Sequence, residues 1–164
     1  MTIGKLTALE RLEIKNCRHL SGAGLAHLKE LTALYYLDLG HCHDLHQGLE
    51  FLADLPRLAL LDLTGTGLRN GELEHVMRIP KLCVLYLAEC QEIDDVGIAH
   101  LAGASGLGGL WLSGCGRVTD GSIQHLARLT ALKELKLDGT QVSPTGIAEL
   151  RKKLPNCRVE YEPD

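Results

Sequence analysis

The apolar positions of this chain fall into one recurring phrase, Leu-x-x-Leu-x-Leu/Ile-x-x-Cys/Thr, whose six copies begin at Leu9, Leu34, Leu58, Leu82, Leu107 and Leu132. Successive copies start 24 or 25 residues apart, the spacing of stacked repeats. In the fifth copy Leu107, Leu110 and Leu112 alternate with Gly109, Trp111 and Ser113, a period of two that predicts a short strand with one buried face. Gly114 follows, as Gly40, Gly65 and Gly139 follow in other copies, and permits a tight exit from the strand. Cys115 and Val118 are the next inward positions. Thr119 is placed to cap a helix, with Asp120 in its first turn, where a carboxylate suits the dipole. Ile123, Leu126 and Leu129 then recur at i, i+3 and i+6 and give the helix one apolar stripe. The same stripe reads Leu25/Leu28/Leu31, Leu49/Leu52/Leu55, Leu73/Val76/Ile79 and Ile98/Leu101/Ala104. In the sixth copy Ser143 is the cap, and Pro144 takes the first helical position, where a missing N–H is tolerated.

Each unit is thus strand, turn and helix, and no unit buries both its strand face and its helix face alone. Stacked units share one core, with a parallel sheet inside the curve and helices outside. The copies containing Thr66 and Thr140 reach their next inward residue, Leu68 and Val142, one position sooner than the cysteine copies reach Leu20, Leu45, Ile93 and Val118. That difference accounts for the 24-residue step after Leu58. A single domain is expected over residues 1–164. Ile3 and Leu6 align with the last inward positions of a repeat helix, so residues 1–8 read as a partial repeat. Cys157 and Glu160 break the phrase at leucine positions, and residues 151–164 read as a polar C-terminal cap.

Charge narrows the partners. The net charge is −4 with acids and bases interspersed, whereas non-specific nucleic-acid binding needs a basic stripe to displace counterions. No apolar run approaches the ~20 residues that cross a bilayer. The first residues lack the basic and apolar regions of a secretory signal. Of the six cysteines, Cys17, Cys42, Cys90 and Cys115 share one repeat position with Thr66 and Thr140. A small inward-pointing side chain suits that slot, and buried cysteine behaves as a small hydrophobe. A disulfide framework is the alternative. Reduced thiols and a cytoplasmic location are expected.

The phrases Leu-Thr-Ala-Leu (residues 6–9, 31–34 and 129–132), Leu-x-Leu-x-x-Cys and Gly-Leu/Ile-Ala-His-Leu (24–28 and 97–101) resemble the cysteine-containing class of leucine-rich repeats. The close Gly-Ile-Ala-Glu-Leu-Arg-Lys-Lys-Leu-Pro-Asn-Cys (146–157) is similar to that of many bacterial repeat proteins, as in planctomycetes and relatives of chlamydiae. The resemblance spans nearly the whole chain. It implies an α/β leucine-rich-repeat solenoid, a curved horseshoe segment of about six repeats, with the sheet concave and the helices convex. It also implies protein–protein recognition without a cofactor. The recognition segment of a larger protein, such as a ubiquitin-ligase substrate receptor or a bacterial effector, is an alternative; residues 1–8 leave no room for an F-box.

Strand residues between the inward leucines form columns on the concave face. One runs Glu13, Asp38, Asp62, Tyr86, Trp111, Lys136; its neighbour runs Arg11, Tyr36, Leu60, Val84, Gly109, Glu134; a third runs Lys15, Gly40, Thr64, Ala88, Ser113, Asp138. Six strands at ~4.8 Å span ~25–30 Å, enough for a protein surface or an extended peptide. Tyr36, Leu60, Val84, Tyr86 and Trp111 make the middle apolar and aromatic, and exposed Trp and Tyr are the usual interface anchors. The same side chains would also pack on one another across strands. Gly108 and Gly109 leave space beside Trp111 for a shallow pocket. Asp38 and Asp62 are expected to select a basic neighbour, with Glu13 and Lys136 at the ends. Self-association through the N-terminal edge near Ile3, Leu6 and Leu12 is a further expectation, since open strand edges invite pairing.

Other chemistry is thin. His27, His75, His100 and His125 share one repeat position on the outer helices, and the last three, from consecutive repeats, could stack in a row that would suit a metal, though the repeat itself explains it. His41-Cys42-His43-Asp44-Leu45-His46 is denser, but Cys42 points inward, away from its neighbours, and no second Cys/His pair lies at finger spacing. Thr64-Gly65-Thr66-Gly67 and Gly114-Cys115-Gly116 lack the spacing of phosphate loops. Asp94-Asp95 is a helix start, with Asp94 in the capping slot. No nucleophile elbow accompanies any serine. The chain is expected not to be an enzyme.

Overall fold

The computed structural model describes residues 3–45 and 47–162. His46 and residues 1, 2, 163 and 164 lie outside it, and with them part of the His41–His46 cluster and of both expected terminal segments.

Seven three-residue strands form one parallel sheet in chain order: β1 Arg11–Glu13, β2 Tyr36–Asp38, β3 Leu60–Asp62, β4 Val84–Tyr86, β5 Gly109–Trp111, β6 Glu134–Lys136 and β7 Arg158–Glu160. The register joins Leu12, Leu37, Leu61, Leu85, Leu110, Leu135 and Val159 into one row. From Leu37 to Val159 that row is buried, whereas Leu12, on the edge strand of the described sheet, is only partly so. The helix stripes close the core from the other side, and Leu25, Leu52, Val76, Leu101, Leu126 and Leu150 are each 0 % exposed. This is the α/β leucine-rich-repeat solenoid anticipated from the phrase.

The helices are shorter and tighter than expected. The structure has α1 Gly22–Leu25, α2 Leu73–Val76, α3 Asp95–Leu101, α4 Ile123–Leu126 and α5 Pro144–Lys153, while the second repeat uses only a 3-10 helix, Leu49–Asp54. The stripe explains this. Apolar residues at i, i+3 and i+6 keep a period of three, which aligns on one face of a 3-10 helix and drifts around an α-helix. Only the last stripe, Ile147, Leu150 and Leu154, steps by three and then four, and α5 is the longest helix at ten residues.

The strand exit follows expectation at Gly65, Gly114 and Gly139 and departs from it at Gly40. The left-handed residue in successive repeats is Asn16, His41, Gly65, Glu89, Gly114 and Gly139, with φ between 57° and 76°. Gly40 stands one position too early; the residue that turns is His41, at φ 59°. Gly40 is buried, and its N–H donates to Asp38 Oδ1 at 3.0 Å.

Three of the four phrase cysteines are buried as expected, and each thiol donates to a carbonyl of the preceding repeat: Cys42 to Ile14 (3.0 Å), Cys90 to Leu63 (3.2 Å) and Cys115 to Leu87 (3.0 Å). Cys17 is exposed, contrary to the inward reading, since among the described residues β1 is the edge strand and no repeat stacks on its outer side. Thr66 and Thr140 instead donate to carbonyls of their own repeats, Leu63 and Leu137, both at 2.7 Å. Burial pushes the Cys115 thiol up to about 12. All six cysteines are free.

Candidate functional site

The register places the columns side by side as read from the phrase: Glu13, Asp38, Asp62, Tyr86, Trp111, Lys136 and Glu160 in one, and Arg11, Tyr36, Leu60, Val84, Gly109, Glu134 and Arg158 in the next. Period-two alternation in a three-residue strand sends the first and last residues away from the core and the middle one into it. The face opposite the helices therefore carries every candidate residue.

At its centre the Tyr86 and Trp111 rings stack, with centroids 4.5 Å apart and planes inclined by 26°. Both rings are partly buried by this contact. Gly109 sets the pose: a β-carbon there would lie 2.5 Å from Trp111 Cζ3 and 3.3 Å from Val84 Cγ1. The indole thus lies over the Gly109 backbone and fills the space where a pocket was expected. The result is a low platform formed with Leu60 and Val84, both partly exposed.

The ends of the face are polar and internally paired. Arg11 meets Glu13 at 2.7 Å, and its guanidinium carbon stands 3.9 Å from the Tyr36 ring centroid. Asp38 departs from expectation: its side chain is fully buried, with Lys15 Nζ at 2.8 Å and the Tyr36 hydroxyl donating at 2.9 Å. Burial alone would raise the Asp38 pKa, but Lys15, the Gly40 N–H and Tyr36 together hold it below the usual carboxylate range. Burial first, then the hydrogen bond to Asp38, pushes the Tyr36 phenol upward. Asp38 organises its neighbours and offers no open acid. At the other end Lys136 meets Glu160 at 3.0 Å and Glu134 at 3.7 Å, with its ammonium 5.7 Å from the Trp111 centroid.

Two features escaped the sequence reading. Tyr35, just before β2, is 51 % exposed; it precedes the alternating pattern and so falls outside the columns. On the helical side, polar residues clamp consecutive repeats. Asn70 Nδ2 donates to Asp94 Oδ1 at 2.7 Å, Asp95 accepts from the Thr119 N–H at 2.8 Å and from the Thr119 and Ser122 hydroxyls, and Asp120 accepts from Ser143 Oγ at 2.7 Å. Asp94, Thr119 and Ser143 also cap their own helices, as expected. Burial acts to raise the Asp95 pKa, and the hydrogen bonds from Ser122 and Thr119 outweigh it, leaving it below the ordinary value.

The histidine row makes one such inter-repeat contact, His100 Nδ1 to Glu74 at 3.3 Å. Among the described residues no group of three or more His, Cys, Asp or Glu has metal-holding geometry. His41 and His43 instead line a shallow depression of about 480 Å³ with Thr66, Glu89 and Gln91. No helix among the described residues is long and apolar enough to cross a membrane.

No family model matches the chain. Over 96 residues it is 34 % identical to a protein of Trypanosoma equiperdum named "Putative adenylate cyclase regulatory protein", a match covering 58 % of this chain and 15 % of that protein. Among solved structures it is similar to internalin C2 of Listeria monocytogenes (22 % identity, TM-score 0.61, 92 % of this chain and 69 % of that one). It is also similar to the internalin InlF of the same organism (21 %, 0.64, 96 % and 48 %) and to a leucine-rich-repeat protein of Leptospira interrogans (21 %, 0.53, 82 % and 39 %). The chain therefore spans a small fraction of its curated relative and between about two fifths and two thirds of these structural neighbours. Sheet, repeat and neighbours agree on the architecture: the chain folds as a leucine-rich-repeat solenoid.

Proposed function

We propose that this chain is a non-catalytic scaffold that binds a protein or peptide on the open sheet face. The observation that carries this reading is the stacked Tyr86–Trp111 pair, set with Leu60 and Val84, all four partly exposed, in the middle of the sheet face opposite the helices. Rigid aromatic groups in such positions supply contact area at little entropic cost and dominate interfaces. Tyr36 extends the platform, Asp62 adds an acid beside it, Glu13 and Lys136 frame it as a polar rim, and buried Asp38 holds Lys15 and Tyr36 in place. Free thiols suit a reducing compartment, which favours the cytoplasm. The trypanosomal relative's name, and the partial coverage of the neighbours, fit a recognition segment working within a regulatory or larger protein.

The test is capture of a partner by the wild type and by a Tyr86→Ala/Trp111→Ala double variant. A protein retained by the wild type alone supports the reading, and equal retention by both overturns it. Trp111→Ala alone is expected to weaken binding of that partner by at least ~2 kcal/mol.

The apolar N-terminal edge favours a second reading. Leu6 is 39 % exposed, and Leu9, Leu12 and Ile14 are only partly buried. Self-association through this edge predicts a mass that rises with concentration in light scattering, and a monomer throughout excludes it.

A further inference from the structure

Acids and aromatic rings share the sheet face, and at both ends a cation of the chain itself completes the grouping. At β1 and β2, Lys15 sits on Asp38 while Arg11 lies over Tyr36. At β5 and β6, Lys136 stands over Trp111 and bonds Glu160. Asp62 on β3 lies between them, in register with Asp38 on one side and Tyr86 on the other. Its Oδ1 accepts from the Thr64 N–H at 2.9 Å, but among the described residues no lysine or arginine forms an ion pair with it. Leu60, two residues earlier on the same strand, stands in register with Val84. Burial pushes the Tyr86 phenol up, and the Asp62 charge adds to that and to the same effect on Tyr36. The field of this carboxylate therefore reaches both neighbouring rings.

Resting on the binding face proposed above, we infer that Asp62 seats a basic side chain of the partner, carried on an extended segment whose apolar residue three positions away packs on the Tyr86–Trp111 pair. The spacing supports three positions. Asp62 and Trp111 stand two strands apart in one column, about 9.6 Å at a strand spacing of ~4.8 Å. Three residues of a polyproline-II segment advance about 9.3 Å and return the side chain to the same side. The chain's own ends show the charged half of the recognition, a cation on a carboxylate, in Lys15 on Asp38 and Lys136 on Glu160.

Trp111 is the only tryptophan, so its emission reports on the platform directly. The probe is the peptide acetyl-Pro-Arg-Pro-Pro-Leu-Pro-amide, titrated beside an analogue with neutral citrulline in place of arginine. Wild type is expected to give a saturable change with arginine favoured by about fivefold, the scale of a partly exposed ion pair. Asp62→Asn retains an acceptor for the Thr64 N–H and should bind both peptides alike. Glu149→Gln on α5, far from this face, should keep the wild-type preference. Equal binding of the two peptides by wild type, or a preference that survives Asp62→Asn, overturns the inference while leaving the aromatic platform as a binding site. No response to either peptide also overturns it, and the binding face is then judged separately by the capture experiment with the double variant.

Discussion

At the residue scale, one repeat position does different work according to its neighbours. The phrase cysteine is inert where a preceding repeat covers it and reactive where none does. A thiol reagent applied to the native protein should label Cys17 and Cys83, both exposed, and spare Cys90 and Cys115 until the protein unfolds. Mass mapping of adducts checks this; rapid native labelling of Cys115 would refute it. The left-handed turn position behaves similarly. Glu89 holds φ 60°, a conformation that disfavours a side chain by roughly 1 kcal/mol, so Glu89→Gly should raise the denaturation midpoint. Gly65→Ala should lower it, because the new methyl would meet the His41 ring. The phrase made the inward cysteines and threonines readable, and Gly65, Gly114 and Gly139 marked the left-handed turn in their own copies. Asn16, His41 and Glu89 carry no glycine to mark the place, and Gly40 is a false marker.

At the element scale, the strands were legible because alternation across three residues admits one reading, and the columns followed from the repeat. The helices were legible as stripes, and the i, i+3, i+6 spacing carries their 3-10 character. The clamps between repeats were not legible, since Asp95 and Asp120 look like ordinary first-turn acids and the groups that donate to them lie 23 to 27 residues away. Removing one should be costly. Asp95→Ala leaves the Thr119 N–H and the buried Ser122 hydroxyl without their acceptor and is expected to destabilise by ~2 kcal/mol. Asp95→Asn isolates the charge. The native Asp95 pKa lies below the unfolded value of about 3.9, so the charged form contributes stability fully above that pH and loses it as the pH falls through the native value. The stability gap between wild type and Asp95→Asn should thus be present at pH 7 and close below about pH 4. Thermal melts across that range check the sign.

At the scale of the whole molecule, stability and recognition both follow from stacking. A repeat with a neighbour on each side is held by two interfaces, whereas the first described repeat has one. Leu12 and Leu20 are accordingly only partly buried while Leu85 and Leu110 are 0 % exposed. Amide exchange is expected to be fastest around β1 and slowest in β4 and β5. The position of the candidate face was readable from the sequence because the columns are a property of the repeat. Its detailed shape was not, since the Trp111 ring pose depends on Gly109, and the closure of Asp38 depends on Lys15, Tyr36 and Gly40 converging from two strands. The central claim is that a partner lies on this face and not on the helices. Its most direct measurement places a photo-crosslinking amino acid at Val84 in the platform or at Gln124 on the exposed side of α4, with irradiation in lysate of the source cells. The account predicts a discrete covalent adduct from position 84, absent from position 124 and lost when Trp111→Ala is added. An adduct from position 124 with none from position 84 would contradict it.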